Sequence, residues 1–188
     1  TVFYGDCNTF IDDILNKLPK GEKFVFCFID PDGLVYRREN GFVCPQLVWK
    51  TVDKIANFPR TEVLINLPLE AIMRETGYIR SDPDAPASRK MEETLTVFYG
   101  TDKWKQIEPG NYREFLSLYI SERLENYYPF KGAILVREEE SRGPLYYLVF
   151  GSKYSLGGKI MRDIMRKEFY GATKPLVEQP PTRFVYED

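Results

Sequence analysis

The chain reads as a three-layer α/β domain with a mostly parallel sheet, and three features of its sequence predict this. Phe24-Val25-Phe26-Cys27-Phe28-Ile29 is an unbroken apolar run that ends in Asp30-Pro31-Asp32-Gly33. Such a run suits a central parallel strand with helices on both faces, since a strand of that kind has no solvent side to mark with polar residues. Strand-like and helix-like patterns alternate from Thr1 to Glu75, the signature of β-α-β units. Gly132-Ala133-Ile134-Leu135-Val136 and Leu145-Tyr146-Tyr147-Leu148-Val149-Phe150 flank a charged connection holding Gly143 and Pro144, which predicts an antiparallel hairpin closing the sheet near its carboxyl end.

The elements follow in order. Thr1-Val2-Phe3-Tyr4 reads as a strand ending in the turn Gly5-Asp6-Cys7-Asn8, and Thr9 with Asp12 has the spacing of a capping box for a helix carrying Phe10, Ile14, Leu15 and Leu18. After the apolar strand comes a polar loop from Val35 to Val43 with Arg37 and Arg38, then a helix opened by Pro45 and striped by Val48, Val52, Ile55 and Ala56. Glu62 to Leu67 is a third strand, and Pro68 opens a helix over Leu69 to Glu75. From Thr76 to Arg89 the periodicity lapses into Ser, Asp and Pro, the composition of a mobile loop. Met91, Leu95 and Phe98 form a short helix ended by Gly100, and Asn111 with Glu114 opens a longer one that runs to Pro129. Gly157-Gly158 lead into a last helix with Lys159, Arg162, Arg166 and Lys167 on one face. The domain is read as residues 1–171, with 172–188 as a Pro-rich surface tail.

Composition excludes several classes of function. At 188 residues and 43% hydrophobic, the chain suits one domain with a substantial core. Its net charge of −2 supplies no global field for nucleic acid. Three cysteines, Cys7, Cys27 and Cys44, lie far apart without a Cys-x-x-Cys pair, which argues for a reducing, cytoplasmic setting and against a structural zinc site. The absence of histidine removes Ser-His and Cys-His catalysis, so acid-base work falls to carboxylates, tyrosines or lysines. No apolar segment approaches the ~20 residues of a membrane-spanning helix.

Candidate site residues sit at strand ends, where open α/β sheets bind ligands. Asp30-Pro31-Asp32-Gly33 supplies carboxylates on a turn, and the alternative is a plain turn-forming sequence. Asp6 and Asn8 either bind a ligand or cap a helix. Asn66 faces the same crevice or bonds its own backbone. Gly151 to Lys159 lacks the G-x-x-x-x-G-K-S/T spacing of a phosphate loop, and Ile160 stands where a hydroxyl is required. The basic residues Arg37, Arg38 and Lys159 to Lys167 are the only local basis for contact with nucleic acid.

Two resemblances follow. The strand with Asp-x-Asp-Gly resembles the first motif of haloacid-dehalogenase-like, magnesium-dependent phosphatases, but Leu34 replaces the usual Thr or Val and Gly5-Asp6 comes first in the chain where a late pair is required. A longer colinear set comprises Gly5-Asp6-Cys7-Asn8, Phe28-Ile29-Asp30-Pro31-Asp32-Gly33-Leu34, Leu64-Ile65-Asn66-Leu67-Pro68, Arg74, and Phe98-Tyr99-Gly100 with Trp104. It resembles the three-Cys-motif partner proteins, a methyltransferase-like family often of phage or mobile-element context. Gly143 to Phe150 and Ile160 to Met165 resemble that family's carboxyl-terminal part.

That resemblance implies a Rossmann-like fold of the class I S-adenosylmethionine-dependent methyltransferases, with strand order 3-2-1-4-5-7-6. Asp6 would end the third strand beside the adenine of S-adenosylmethionine, with Asn8 as a second cofactor residue. Asp30, Pro31, Asp32 and Gly33 would form the catalytic motif, and Asn66 and Arg74 would bind substrate. Asp32 and Gly33 replace the second proline and the aromatic of the D-P-P-Y motif of amino-group methylases. The glycine-rich cofactor loop and the acidic ribose ligand of such enzymes have no counterpart here, so the resemblance implies a fold incomplete at its N-terminal side. It implies as partners an unknown substrate, which could include nucleic acid, and a cysteine-motif protein. The competing reading is a non-catalytic interaction module that keeps the fold.

Overall fold

A computed structural model describes residues 3–18, 21, 24–37, 43–137, 144–170 and 184–186. The elements are α1 (Cys7–Lys17), β1 (Val25–Ile29), β2 (Val35–Arg37), β3 (Val43–Pro45), α2 (Trp49–Asn57), β4 (Thr61–Leu67), α3 (Leu69–Ser81), α4 (Pro86–Tyr99), a 3-10 turn (Lys103–Gln106), α5 (Tyr112–Ser117) continuing as a π-helix (Leu118–Leu124), β5 (Phe130–Arg137), β6 (Pro144–Ser152), α6 (Ser155–Tyr170) and β7 (Phe184–Tyr186). The protein is a mixed α/β structure.

The main sheet has the order β1-β4-β6-β5-β7. β1 and β4 run parallel, with Val25 opposite Thr61 and Ile29 opposite Ile65. β6 is antiparallel to β5, as the hairpin pattern predicted, and also to β4. β7, inside the segment read as a surface tail, pairs in parallel with β5. β2 and β3 form a separate two-stranded hairpin across the polar loop after β1. Of that loop, 38–42 lie outside the described residues, Arg38 among them.

One face of the sheet carries the main core. Thr61, Val63, Ile65 and Leu67 of β4 are all buried there, beneath Val52, Ile55 and Ala56 of α2, Leu69 and Ile72 of α3, and Leu95 and Phe98 of α4. The strict alternation along β4 comes from its pleat: Glu62, Leu64 and Asn66 point to the opposite face. Behind the helices, Trp49, Phe98, Tyr99, Phe115 and Tyr119 form a chain of edge-on and tilted aromatic contacts with ring centroids 5.2–6.1 Å apart. Gly100 ends α4 at φ 65°, and a Cβ there would lie 2.6 Å from the Trp49 ring, so both backbone conformation and space require glycine.

The structure corrects several expectations. Phe3 and Tyr4 form no ladder among the described residues, while Thr1 and Val2 lie outside them. The first helix is capped by Asp6, whose side chain accepts from Asn8 N–H, and not by Thr9. Pro45 ends β3, and α2 begins at Trp49. The stretch expected as a mobile loop is mostly helix: Thr76 and Ile79 continue the buried stripe of α3, and Pro86 serves as the opening residue of α4, leaving a short Asp82–Ala85 turn.

β1 departs most. Its apolar run alone predicts a central strand covered on both sides, whereas the resemblance to an incomplete methyltransferase sheet predicts an apolar edge; β1 has β4 on one edge and no second strand partner among the described residues. Its face bearing Phe24, Phe26 and Phe28 is exposed. The sequence signals apolarity on both faces; whether a neighbour covers each face depends on the rest of the fold.

Candidate functional site at the strand ends

The carboxyl ends of β1 and β4 lie side by side, because Ile29 pairs with Ile65 and the next residues, Asp30 and Asn66, follow in register. Asn66 Nδ2 donates to Asp30 Oδ1 at 2.7 Å, and Asn66 Oδ1 is buried without a hydrogen-bond partner among the described residues. Asp30 itself is exposed, while the Pro31 after it is buried and holds the turn against the protein. Leu34, almost fully buried, anchors the far end of the turn in the core.

Gln46 fixes this turn. Its backbone N–H donates to Leu34 C=O at 2.9 Å, its Nε2 donates to Val35 C=O at 3.2 Å, and its Oε1 accepts from Asp32 N–H at 2.8 Å. One side chain thus ties the Asp30-Pro31-Asp32-Gly33 corner to the connection between β3 and α2.

The same connection is tied to the other acidic corner through Asn8. Asn8 Nδ2 lies within donating distance of Asp6 Oδ1 (2.9 Å), Pro45 C=O (3.3 Å) and Gln46 C=O (3.2 Å). Its Oδ1 accepts from Val48 N–H at 3.1 Å and from Thr51 Oγ1 at 2.8 Å. Every polar group of the Asn8 amide is engaged inside the protein, so the residue holds Asp6 and the Pro45–Val48 segment in place. Asp6 performs the capping role at the start of α1, accepting from Asn8 N–H at 2.9 Å.

Beside the Asp6 corner lies an open pocket of about 580 Å³, lined by Gly5, Asp6, Cys7, Tyr36 and Gln46. Cys7 Sγ faces Gln46 C=O at 3.7 Å, and burial, followed by the nearby Asp6 charge, pushes its thiol above the ordinary range. A thiol held protonated in this way is a poor nucleophile at neutral pH.

Four of the residues singled out from sequence, Asp6, Asn8, Asp32 and Gly33, therefore meet around Gln46, and Asp30 joins Asn66 beside them. Arg74 does not join them: it lies in the second turn of α3, largely exposed, with its nearest ion partner Glu75 at 3.6 Å. Gln46 and Tyr36 escaped the sequence reading, since a single Gln after a proline and a Tyr in a polar loop carry no periodic signal. No group of three or more Cys, Asp or Glu side chains converges to hold a metal ion among the described residues.

Gly157 and Gly158 have a structural use. A Cβ on Gly157 would come within 1.8 Å of Glu62 Oε1, and one on Gly158 within 2.8 Å of Phe130 Cβ. The two glycines let the first turn of α6 approach β4 and β5 closely, which accounts for the glycine pair without a phosphate.

A scan against protein-family models matches none, and searches of curated proteins and of solved structures return no match. No helix among the described residues is long and apolar enough to cross a membrane.

Proposed function

We propose that this chain is a methyltransferase-like α/β domain of the three-Cys-motif partner type, with a cofactor side at Asp6 and a substrate side at Asp30. The observation that carries this reading is strand order. If β1 and β4 correspond to the fourth and fifth strands of a class I methyltransferase, then β6 and β5 correspond to the seventh and sixth, and β1-β4-β6-β5 is the 4-5-7-6 half of that sheet. The antiparallel strand lies between two others in the place the comparison requires. β7, parallel to β5 at the far edge, is an addition to that pattern.

The residues present fit one end of S-adenosylmethionine. Asp6 and the Tyr36 ring line the same pocket, offering an acceptor for an exocyclic amine and an aromatic wall for a purine. Asn8 and Gln46 act by holding that pocket in shape. No described residue is assigned to the methionine end, so affinity in this chain rests on the adenine side and is weak, of the order of millimolar. When bound, S-adenosylmethionine supplies an electrophilic methyl group; the chain's contribution is to orient the acceptor through Asp30, itself oriented by Asn66. The acceptor is a small molecule or a nucleic-acid base, and Arg74 would act only on a substrate reaching α3. A cytoplasmic setting and a cysteine-motif protein partner belong to the same proposal.

A second reading, a binding module with no chemistry, is favoured by Asp32 and Gly33, which remove the proline and the aromatic that would hold a flat base. The phosphatase alternative would use the same turn, with Asp30 beside Asn66 as nucleophile and Asp32, held through its backbone by Gln46, as the acid-base group. Ligand-observed saturation-transfer NMR with S-adenosylmethionine separates the first two readings. We expect transfer to the adenine protons in the wild type and its loss in Asp6→Asn; no transfer in the wild type, or equal transfer in both, contradicts the methyltransferase-like assignment.

A further inference from the structure

The sheet face opposite the main core is only half covered. α6 packs on it through Met161 and Met165, which join Ile134, Phe150 and Leu64 in a small cluster. In the parallel register Phe26 lies opposite Glu62 and Phe28 opposite Leu64, so both phenylalanines share the α6 side of the sheet. Phe24 joins them through an edge contact with Tyr154, with centroids 5.2 Å apart, just before α6 begins. Phe24, Phe26 and Phe28 are each more than half exposed. α6 has a matching apolar stripe: Leu156, Ile160 and Ile164 recur every fourth residue, each about half exposed or more. They lie on the outer side of the helix, since Gly158, Met161 and Met165 turn toward the sheet.

We propose that these two surfaces are the two halves of one two-fold interface, in which α6 of each copy lies across β1 of the other. Their dimensions match: Leu156 to Ile164 spans ~12 Å of helix, and Phe24 to Phe28 spans ~13 Å of strand. The patch is self-complementary, as an isologous contact requires, because each copy contributes both a helix stripe and a strand face. The six side chains offer roughly 600 Å² per copy before neighbouring atoms are counted, close to the ~800 Å² per partner of a standard interface. A second copy is the occupant that accounts for the β1 face and the α6 stripe together.

Sedimentation velocity of the 188-residue chain at about 50 µM tests this interface. The expected result is a single species of twice the 22.0 kDa chain mass. Phe26→Lys and Ile160→Glu, both at exposed positions, are each expected to weaken association at least ~100-fold and yield monomers with unchanged far-ultraviolet circular dichroism. Phe28→Lys replaces Phe26→Lys if that variant fails the folding control. Mixing the two monomeric variants is expected to restore a dimer, since one helix–strand contact is then wild type and the other opposes the introduced lysine to the introduced glutamate. A monomeric wild type, an oligomer that survives both substitutions, or variants that stay monomeric when mixed would each overturn the proposal.

Discussion

Asn8 shows how one side chain does the work of a loop. Its amide bridges the start of α1, the end of β3 and the first turn of α2 through contacts of 2.8–3.3 Å. Asn8→Ala would strand Val48 N–H and two carbonyl groups in a partly buried site. Unsatisfied groups of this kind cost about 1–3 kcal/mol each, and water recovers part of that, so we expect a loss of about 2–4 kcal/mol in urea denaturation. A loss below about 0.5 kcal/mol, the range of ordinary surface substitutions, would contradict the bridging role. From the sequence Asn8 was legible as a polar residue at a turn beside Asp6, but its partners lie some 40 positions away and leave no local pattern. Asn66 was more legible, because the strand-end rule needs only a polar residue after an apolar run; its contact with Asp30 follows from the parallel register.

Among the elements, the turn from α5 into a π-helix places Tyr119 inside the aromatic core, where its hydroxyl and that of Tyr99 are buried without partners among the described residues. Burial pushes the phenols of Tyr99, Tyr119 and Tyr128 upward, and a hydrogen bond to Asp53 does the same for Tyr127. A phenol whose folded value lies above its unfolded value of about 10 stabilises the fold below that pH and loses the contribution as pH rises through the folded value. We therefore expect the urea midpoint to fall between pH 9 and pH 12, with part of the tyrosinate absorbance near 295 nm appearing only as the protein unfolds. Complete titration of all 13 tyrosines in the native state before any unfolding would contradict this. The capping signals at Gly100 and Asn111 and the hairpin were readable because they depend on local chemistry. The continuation of α3 was obscured by its polar exposed face, where Arg74, Tyr78, Arg80 and Ser81 hide the buried spacing of Ile72, Thr76 and Ile79.

For the whole molecule, the α/β class was legible because alternating strand and helix patterns follow from burial on a shared sheet. The apolar run of Phe24 to Ile29 did not by itself give the position of β1, since it is equally apolar whether or not a neighbour covers it; the want of a strand partner was legible only through the family resemblance. The same ambiguity links the two proposals, which are tested separately: the strand order bears on the crevice at Asp6 and Asp30, while the exposed phenylalanines bear on association. A chain that binds S-adenosylmethionine as a monomer would keep the first and overturn the second. The crevice is tested most directly by following backbone amide shifts while S-adenosylmethionine is added to the labelled protein. The account predicts changes concentrated at Asp6, Cys7, Tyr36 and Gln46, with Arg74 and α6 unmoved. Saturating cofactor that leaves those four amides unshifted, or that shifts a different surface, would contradict it.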